Sequence, residues 1–432
     1  MYSFAKRARA VCASFILSSL PLFPESSLAA EPTPEPTPEP APAPTATPDP
    51  DLEALRKAAE DQAGPTSPQA PATDGTSGLS RLNPEISAVI DGVGVLVPDP
   101  PHVTDGARSG FIFRELELSF AASVDHLARF KAFVGIGAEG AEIEEATILW
   151  PGLLGPFNLT VGRMRQSLDP VNRWHTHALD QADLPRVHRI FLGDEGLAQT
   201  GLRLDAVVGV PAFTLLIQIE VTNSENEALF AGEFFSLPSF LAHVDGHLAL
   251  GASGYLELGG GALVGFNHQT GPRADVAPDS AGDPASPGTP GTIVRQPTRT
   301  TSLFWGDFAA AYDPAGGKDR FGFFVHGGVF YRHREMEDAL GNPSTDGRFG
   351  GYAYVHARLD RSWHVGLRGD WVEAGDGQKA EVDLVPVVTF WQSEYLFLRA
   401  QYQLGLPSGE DPTHVVMLQL DAGIGPHYHE RY

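Results

Sequence analysis

Residues Phe213 to Thr222 read FTLLIQIEVT, and their two-residue period decides the fold. Side chains along a strand alternate between its two faces. Phe213, Leu215, Ile217, Ile219 and Val221 therefore share one face, and Thr214, Gln218, Glu220 and Thr222 the other, with Leu216 its one apolar exception. Only Pro211-Ala212 separates this segment from the strand pattern before it, whereas 223–239 separates it from the next. The contrast recurs along the chain. Val124-Asp125-His126, Asp360-Arg361-Ser362 and Gln392-Ser393-Glu394 are short gaps, with 151–156 and 313–319 somewhat longer. They alternate with 97–108, 167–196, 269–300 and 334–348. Short turns at one end and long loops at the other are the arrangement of a transmembrane β-barrel, and a sandwich or propeller has no reason to sort its connections in this way.

Working outward, the same alternation predicts strands over 85–96, 110–123, 127–138, 141–150, 157–166, 197–208, 213–222 and 240–251. The second half adds 254–268, 301–312, 320–333, 349–359, 363–373, 380–391, 394–405 and 413–424, with fourteen strands as the count if two neighbours merge. About 16 is an even number, as a closed antiparallel up-and-down barrel with both termini on the periplasmic side requires. Val416, Leu418, Leu420, Ala422 and Ile424 oppose Gln419 and Asp421. Leu396, Leu398, Ala400, Tyr402 and Leu404 oppose Arg399, Gln401 and Gln403, and Val365, Leu367 and Trp371 oppose Arg368 and Asp370. Charge at mid-strand on the less apolar face suits a water-filled lumen rather than a soluble core. Trp150, Trp305, Tyr331, Tyr352, Trp371, Trp391 and Tyr395 lie near strand ends, where aromatic girdles form.

The region before the strands has a different character. Lys6, Arg7 and Arg9 precede an apolar run from Ala10 to Phe23 and the small residues Leu28-Ala29-Ala30. That layout predicts a signal peptide over 1–30 and export in a Gram-negative cell. The one cysteine, Cys12, lies inside it. Residues 31–80 form a Pro-rich periplasmic linker, opening EPTPEPTPEPAPAPTATPDP, with a short helix expected over 51–62 and the barrel filling 81–432. Removing 1–30 takes three basic and one acidic residue from totals of 30 and 54, leaving 27 against 53. A chain this acidic repels phosphates and is no nucleic-acid binder. No run approaches 18 apolar residues outside the leader, so helical spans are excluded. The chain ends on an aromatic, Tyr432, the kind of terminus the barrel-assembly machinery reads in outer-membrane barrels.

Several segments resemble a known family. They are Leu82-Asn83-Pro84-Glu85-Ile86-Ser87, Phe113-Arg114-Glu115-Leu116-Glu117-Leu118-Ser119-Phe120, Glu144-Glu145-Ala146 and Val161-Gly162-Arg163-Met164-Arg165 leading to Arg189-Ile190-Phe191-Leu192-Gly193-Asp194-Glu195-Gly196. They are similar to a porin-like outer-membrane family related to the phosphate-selective porins, some of whose members carry labels of TonB-dependent or zinc-regulated receptor. The resemblance implies an outer-membrane channel in contact with lipid, passing small polar solutes, and by porin analogy a homotrimer.

The third long connection, 167–196, is the candidate constriction loop, since in 16-stranded porins that loop commonly folds into the lumen. Arg163, Arg165, Arg173, Arg186 and Arg189 would then face Glu115, Glu117, Glu220 and Asp421 across the pore. Opposed charges there set up a transverse field that selects polar solutes; the same arginines could instead pair with Asp169, Asp180 and Asp183 to hold the loop in shape. His175 and His177 with Asp180 or Asp183 offer imidazole and carboxylate ligands suited to zinc. No serine has an activating histidine context, and no P-loop, Rossmann or Cys/His module is present, so no enzyme activity is expected. Two functions stay open: a passive channel, and a non-conducting receptor barrel binding a metal ion or metal complex.

Overall fold

The computed structural model describes residues 84–98, 109–210, 213–230, 237–267, 299–314, 321–337, 342–375 and 379–425. The expected signal peptide, linker and short helix, and the tail from His427 to Tyr432, lie outside these residues.

Sixteen strands close into one antiparallel barrel in which each pairs with its sequence neighbours and the last pairs with the first. They are β1 (Glu85–Leu96), β2 (Gly110–Ser123), β3 (Arg129–Gly137), β4 (Gly140–Leu154), β5 (Phe157–Arg165) and β6 (Ala198–Val210). Next come β7 (Phe213–Thr222), β8 (Ser239–Ala249), β9 (Gly254–Asn267), β10 (Arg299–Tyr312) and β11 (Gly322–Glu337). The barrel finishes with β12 (Pro343–Arg358), β13 (Trp363–Val372), β14 (Glu381–Ser393), β15 (Leu396–Pro407) and β16 (Thr413–Ile424). Closure runs through nine register pairs from Ala88↔Ile424 to Leu96↔Val416, which leaves no sheet edge unpaired.

The faces sort as the alternation requires. On β7, Ile217 and Ile219 are exposed on the outer surface, while Gln218, Glu220 and Thr222 are buried within. On β16, Leu418 and Leu420 point out and Gln419 and Asp421 point in. A barrel that turns leucine and isoleucine outward and arginine and aspartate inward is built to stand in lipid. Leu418→Arg, at mid-strand on the outer face, is therefore expected to destabilise the barrel by about 2–4 kcal/mol in lipid vesicles. Glu139→Arg, in the exposed turn after β3, should change it by less than about 0.5 kcal/mol. Denaturant titration of the vesicle-inserted protein reads both, and equal costs would show that the outer face was assigned wrongly.

Two details depart from the sequence reading. The gap expected over 334–348 is largely strand: β11 and β12 pair out to Glu337↔Pro343, so this hairpin stands well beyond the span of a membrane. Trp305 and Tyr352 belong to no girdle, because their register turns them inward, where they are buried. Trp371 and Tyr395 do face outward.

Candidate functional site

The connection between β5 and β6 carries Leu168, Val171, Trp174, Leu179, Leu184, Val187, Phe191 and Leu192, a density of apolar residues that water does not tolerate in an open loop. The lumen supplies its counterpart. These side chains pack on Leu241, Leu263, Leu303, Trp305, Phe330, Tyr352 and Val372, together with Leu229 and Phe230 of the following loop. From Gln166 to Leu197 only Asp194 and Glu195 are exposed. Two single 3₁₀ turns, Val171–Arg173 and Thr176–Ala178, and the helix Arg186–Leu192 give the segment what regular structure it has.

Polar contacts fasten it round most of the inner wall. Arg186 Nε lies 2.6 Å from Asp383 Oδ2, and Arg186 Nη2 2.8 Å from Glu381 Oε1. Arg368 donates to Asp183 Oδ1 at 3.0 Å and to the Asp183 carbonyl at 2.8 Å, and its Nε is 2.9 Å from Asp370. Gln401 donates to Asp183 and Arg399 to the Gln181 carbonyl. Tyr352 donates to Asp169 at 2.5 Å and Tyr354 to the Asp180 carbonyl at 3.1 Å. Burial alone would raise the Asp169 carboxyl, but the His188 imidazole, the Tyr352 hydroxyl and the Asn172 amide together hold it at about 2.

A carboxylate-rich sector lies on β2 and β4. Two β-bulges build it. Between Asp91↔Glu115 and Gly92↔Phe113 the register skips Arg114, and between Phe133↔Glu145 and Val134↔Ile143 it skips Glu144. An extra residue bends the strand and re-aims side chains. Arg114 thus joins Glu115 inside, donating to Asp91 and to the Ala182 carbonyl, and Glu144 joins Glu145. His175 meets this sector: Nδ1 is 2.6 Å from Glu144 and 2.8 Å from Glu117, and Nε2 is 2.9 Å from Glu145. Burial and Arg165 oppose a charge on His175, yet hydrogen bonds to Glu117, Glu144 and Glu145 outweigh both and hold its pKa well above the usual imidazole range. His177 stands alongside, 3.2 Å from Glu115, with the two rings 6.1 Å apart.

The residues expected at a constriction are dispersed along this path. Arg165 bonds the Glu195 carbonyl and approaches Glu144; Arg173 reaches Asp245; Arg186 and Arg189 reach Asp383 and Asp183. Arg163 stays at the rim with Glu142 and Glu225. Glu220 accepts from Gln166, Ser167 and Arg203, and Asp421 sits in register with Asp91. His175 and His177 do come together, but Asp180 and Asp183 go elsewhere. After the second 3₁₀ turn the chain extends, and wall partners on β12, β13 and β15 take both aspartates, with His356 3.6 Å from Asp180. The carboxylates around the histidines come from the wall instead. Arg114, Glu144 and Glu145 and the inward arginines Arg332, Arg348, Arg368 and Arg399 were not among the expected site residues. A cavity of about 450 Å³ adjoins the sector, its lining running from Ser123 and Arg129 near the short-turn end to Glu145 and Lys131.

No family model matches the chain. An uncharacterised protein of Aquifex aeolicus (strain VF5) is 27% identical over 318 residues, which cover 69% of this chain and 64% of that protein. The chain therefore matches somewhat under two thirds of that relative's length. Among solved structures, the outer membrane channel DcaP of Acinetobacter baumannii is similar at a TM-score of 0.49 and 11% identity, covering 79% of this chain and 96% of that one. An anion-selective porin from Comamonas acidovorans gives 0.49 and 10%, covering 79% and 99%. OmpT of Vibrio cholerae, folded in vitro, gives 0.47 and 10%, covering 79% and 97%.

Proposed function

We propose that the chain is a porin-like channel of the bacterial outer membrane for passive diffusion of small polar solutes, with 167–196 as its constriction loop. The observation that carries this reading is the combination of a lipid-facing apolar exterior with an interior of buried arginines and carboxylates crossed by a docked loop. Such a lumen favours polar solutes over apolar ones, because every path through it passes fixed charges. The closeness of the loop's packing supports a resting state of small conductance. Kinship with the phosphate-selective porins and assembly as a homotrimer belong to the same proposal.

The number of loop-to-wall anchors also favours a second reading, a barrel that binds a ligand and does not conduct. Purified protein in planar bilayers separates the two. Discrete steps of small amplitude, with a reversal potential under a salt gradient that reports ion preference, are expected of the channel. Folded, inserted protein with no steps would favour the binding barrel.

A further inference from the structure

The sector on β2 and β4 gathers four carboxylates against the two histidines of the loop. Glu115, Glu117, Glu144 and Glu145 converge there, and the cations that face them are Lys131, 3.6 Å from Glu145, Arg165, 3.5 Å from Glu144, and His175 and His177 from the loop. Arg114 is engaged with Asp91. Glu117 is the least satisfied member. It has no solvent exposure, and apart from the 2.8 Å approach of His175 Nδ1 neither of its oxygens has a hydrogen-bond partner. The Nδ1 atom of His175 is close to Glu117 but can give its single hydrogen to only one acceptor, and its hydrogen-bond geometry is toward Glu144. His175 is the charge that meets Glu117, through a proton it gives to Glu144; a metal ion in place of that proton would meet both carboxylates at once.

We infer that His175, Glu117 and Glu144 form a binding site for a divalent transition-metal cation of the zinc type. One ligand atom from each of the three lies within 4.8 Å of the others. Nδ1 stands 2.6 and 2.8 Å from the two carboxylate oxygens. Bonds of about 2.0–2.2 Å in a tetrahedron set such edges at roughly 3.3–3.6 Å, so the ring and the carboxylates must spread by about 0.5–1 Å to admit the ion. The far side of the ring matches as well. A ligating imidazole gives its other N–H to a carboxylate that fixes its orientation, and Nε2 lies 2.9 Å from Glu145, itself beside Lys131.

Room for the carboxylates comes from Gly135, opposite on β3. A Cβ there would fall 2.6 Å from Glu144 Oε1 and 3.1 Å from Glu115 Oε2. Imidazole with carboxylates and no thiolate suits zinc, manganese or iron(II) better than copper(I), and the nitrogen donor argues against calcium. The cavity from the short-turn end reaches Lys131 and Glu145, behind the ring rather than at the three ligands. The site needs the loop docked but does not depend on whether the barrel conducts.

The test uses the full chain folded in detergent, purified without a polyhistidine tag, stripped with a chelator and dialysed against Zn²⁺. One zinc per barrel is expected, and its X-ray absorption spectrum should show a single imidazole among oxygen ligands. Glu117→Gln and Glu144→Gln keep side-chain shape and should each weaken binding at least tenfold. Glu145→Gln, acting through the imidazole, should weaken it by about 10–100-fold. Heat-modifiable migration on gels confirms that each variant is folded. Wild-type barrel that holds no stoichiometric zinc, a spectrum without imidazole, or glutamine variants that bind as tightly as wild type would each overturn the site. The wild-type spectrum decides the matter without any variant.

Discussion

Excising residues 171–192 and bridging Pro170 to Gly193 with a short Gly-Ser linker is expected to raise single-channel conductance on the order of tenfold, since a 16-stranded barrel with an empty lumen is wide enough for an aqueous channel. The barrel should survive the deletion, because the strand ladder from β1–β2 round to β1–β16 uses no residue of the excised stretch. What the loop leaves behind is mixed. Arg332, Arg348, Arg368 and Arg399 would become hydrated and favour anion entry, while Leu241, Leu263, Leu303 and Phe330 would lose their cover. The second effect tempers the first, since apolar constrictions resist wetting. Planar-bilayer recordings on intact and excised protein give the comparison. Equal conductance in the two would mean that the loop is not the constriction.

The second large effect is expected at Arg368. This fully buried guanidinium serves Asp183 on the loop and Asp370 on its own strand. Arg368→Ala strips both carboxylates of their main counter-charge, and breaking a buried pair in this way costs about 3–5 kcal/mol. Undocking returns Asp183 to water, so part of the penalty is relieved by releasing the loop. The docked-to-released ratio should fall on the order of a hundredfold, at tenfold per 1.4 kcal/mol. Limited proteolysis within 171–192 should accelerate accordingly, and Arg368→Lys, which keeps the charge but loses the fork, should fall between. Unchanged protection in the alanine variant would show that the apolar packing alone holds the loop.

Strand positions, the outer ends of β11 and β12 apart, were legible in the sequence to within a few residues because lipid outside and water or polar side chains inside impose the same alternation on every strand. Phe213 to Thr222 carries the pattern with Leu216 as its one exception, and it and Thr413 to Ile424 are strands with those bounds. The site was less legible for the same reason. Strict alternation sends one of Arg114 and Glu115, and one of Glu144 and Glu145, to the lipid face, and only the bulges bring both members inside. Nothing in either pair signals a bulge. His175, His177, Asp180 and Asp183 are neighbours along the chain, and proximity in sequence suggested one ligand set. A loop that crosses the lumen places such neighbours on different walls, and the glutamates that do reach His175 come from about 30 and 60 residues earlier, a separation that no local spacing reveals.

The loop's anchors also have a bearing on assembly order. Arg399 and Gln401 grip Gln181 and Asp183 across more than two hundred residues of chain, so the segment is made long before half its partners exist. Non-local contacts of this reach are late events in folding. While the early hairpins form, the loop's leucines have no inner wall to rest on. Each later strand that adds to the growing sheet brings another handhold for it, from Asp245 on β8 to Gln401 on β15. Were strands added in chain order, the β1–β16 seam would be the last to close, and by then every wall partner of the loop would be in place.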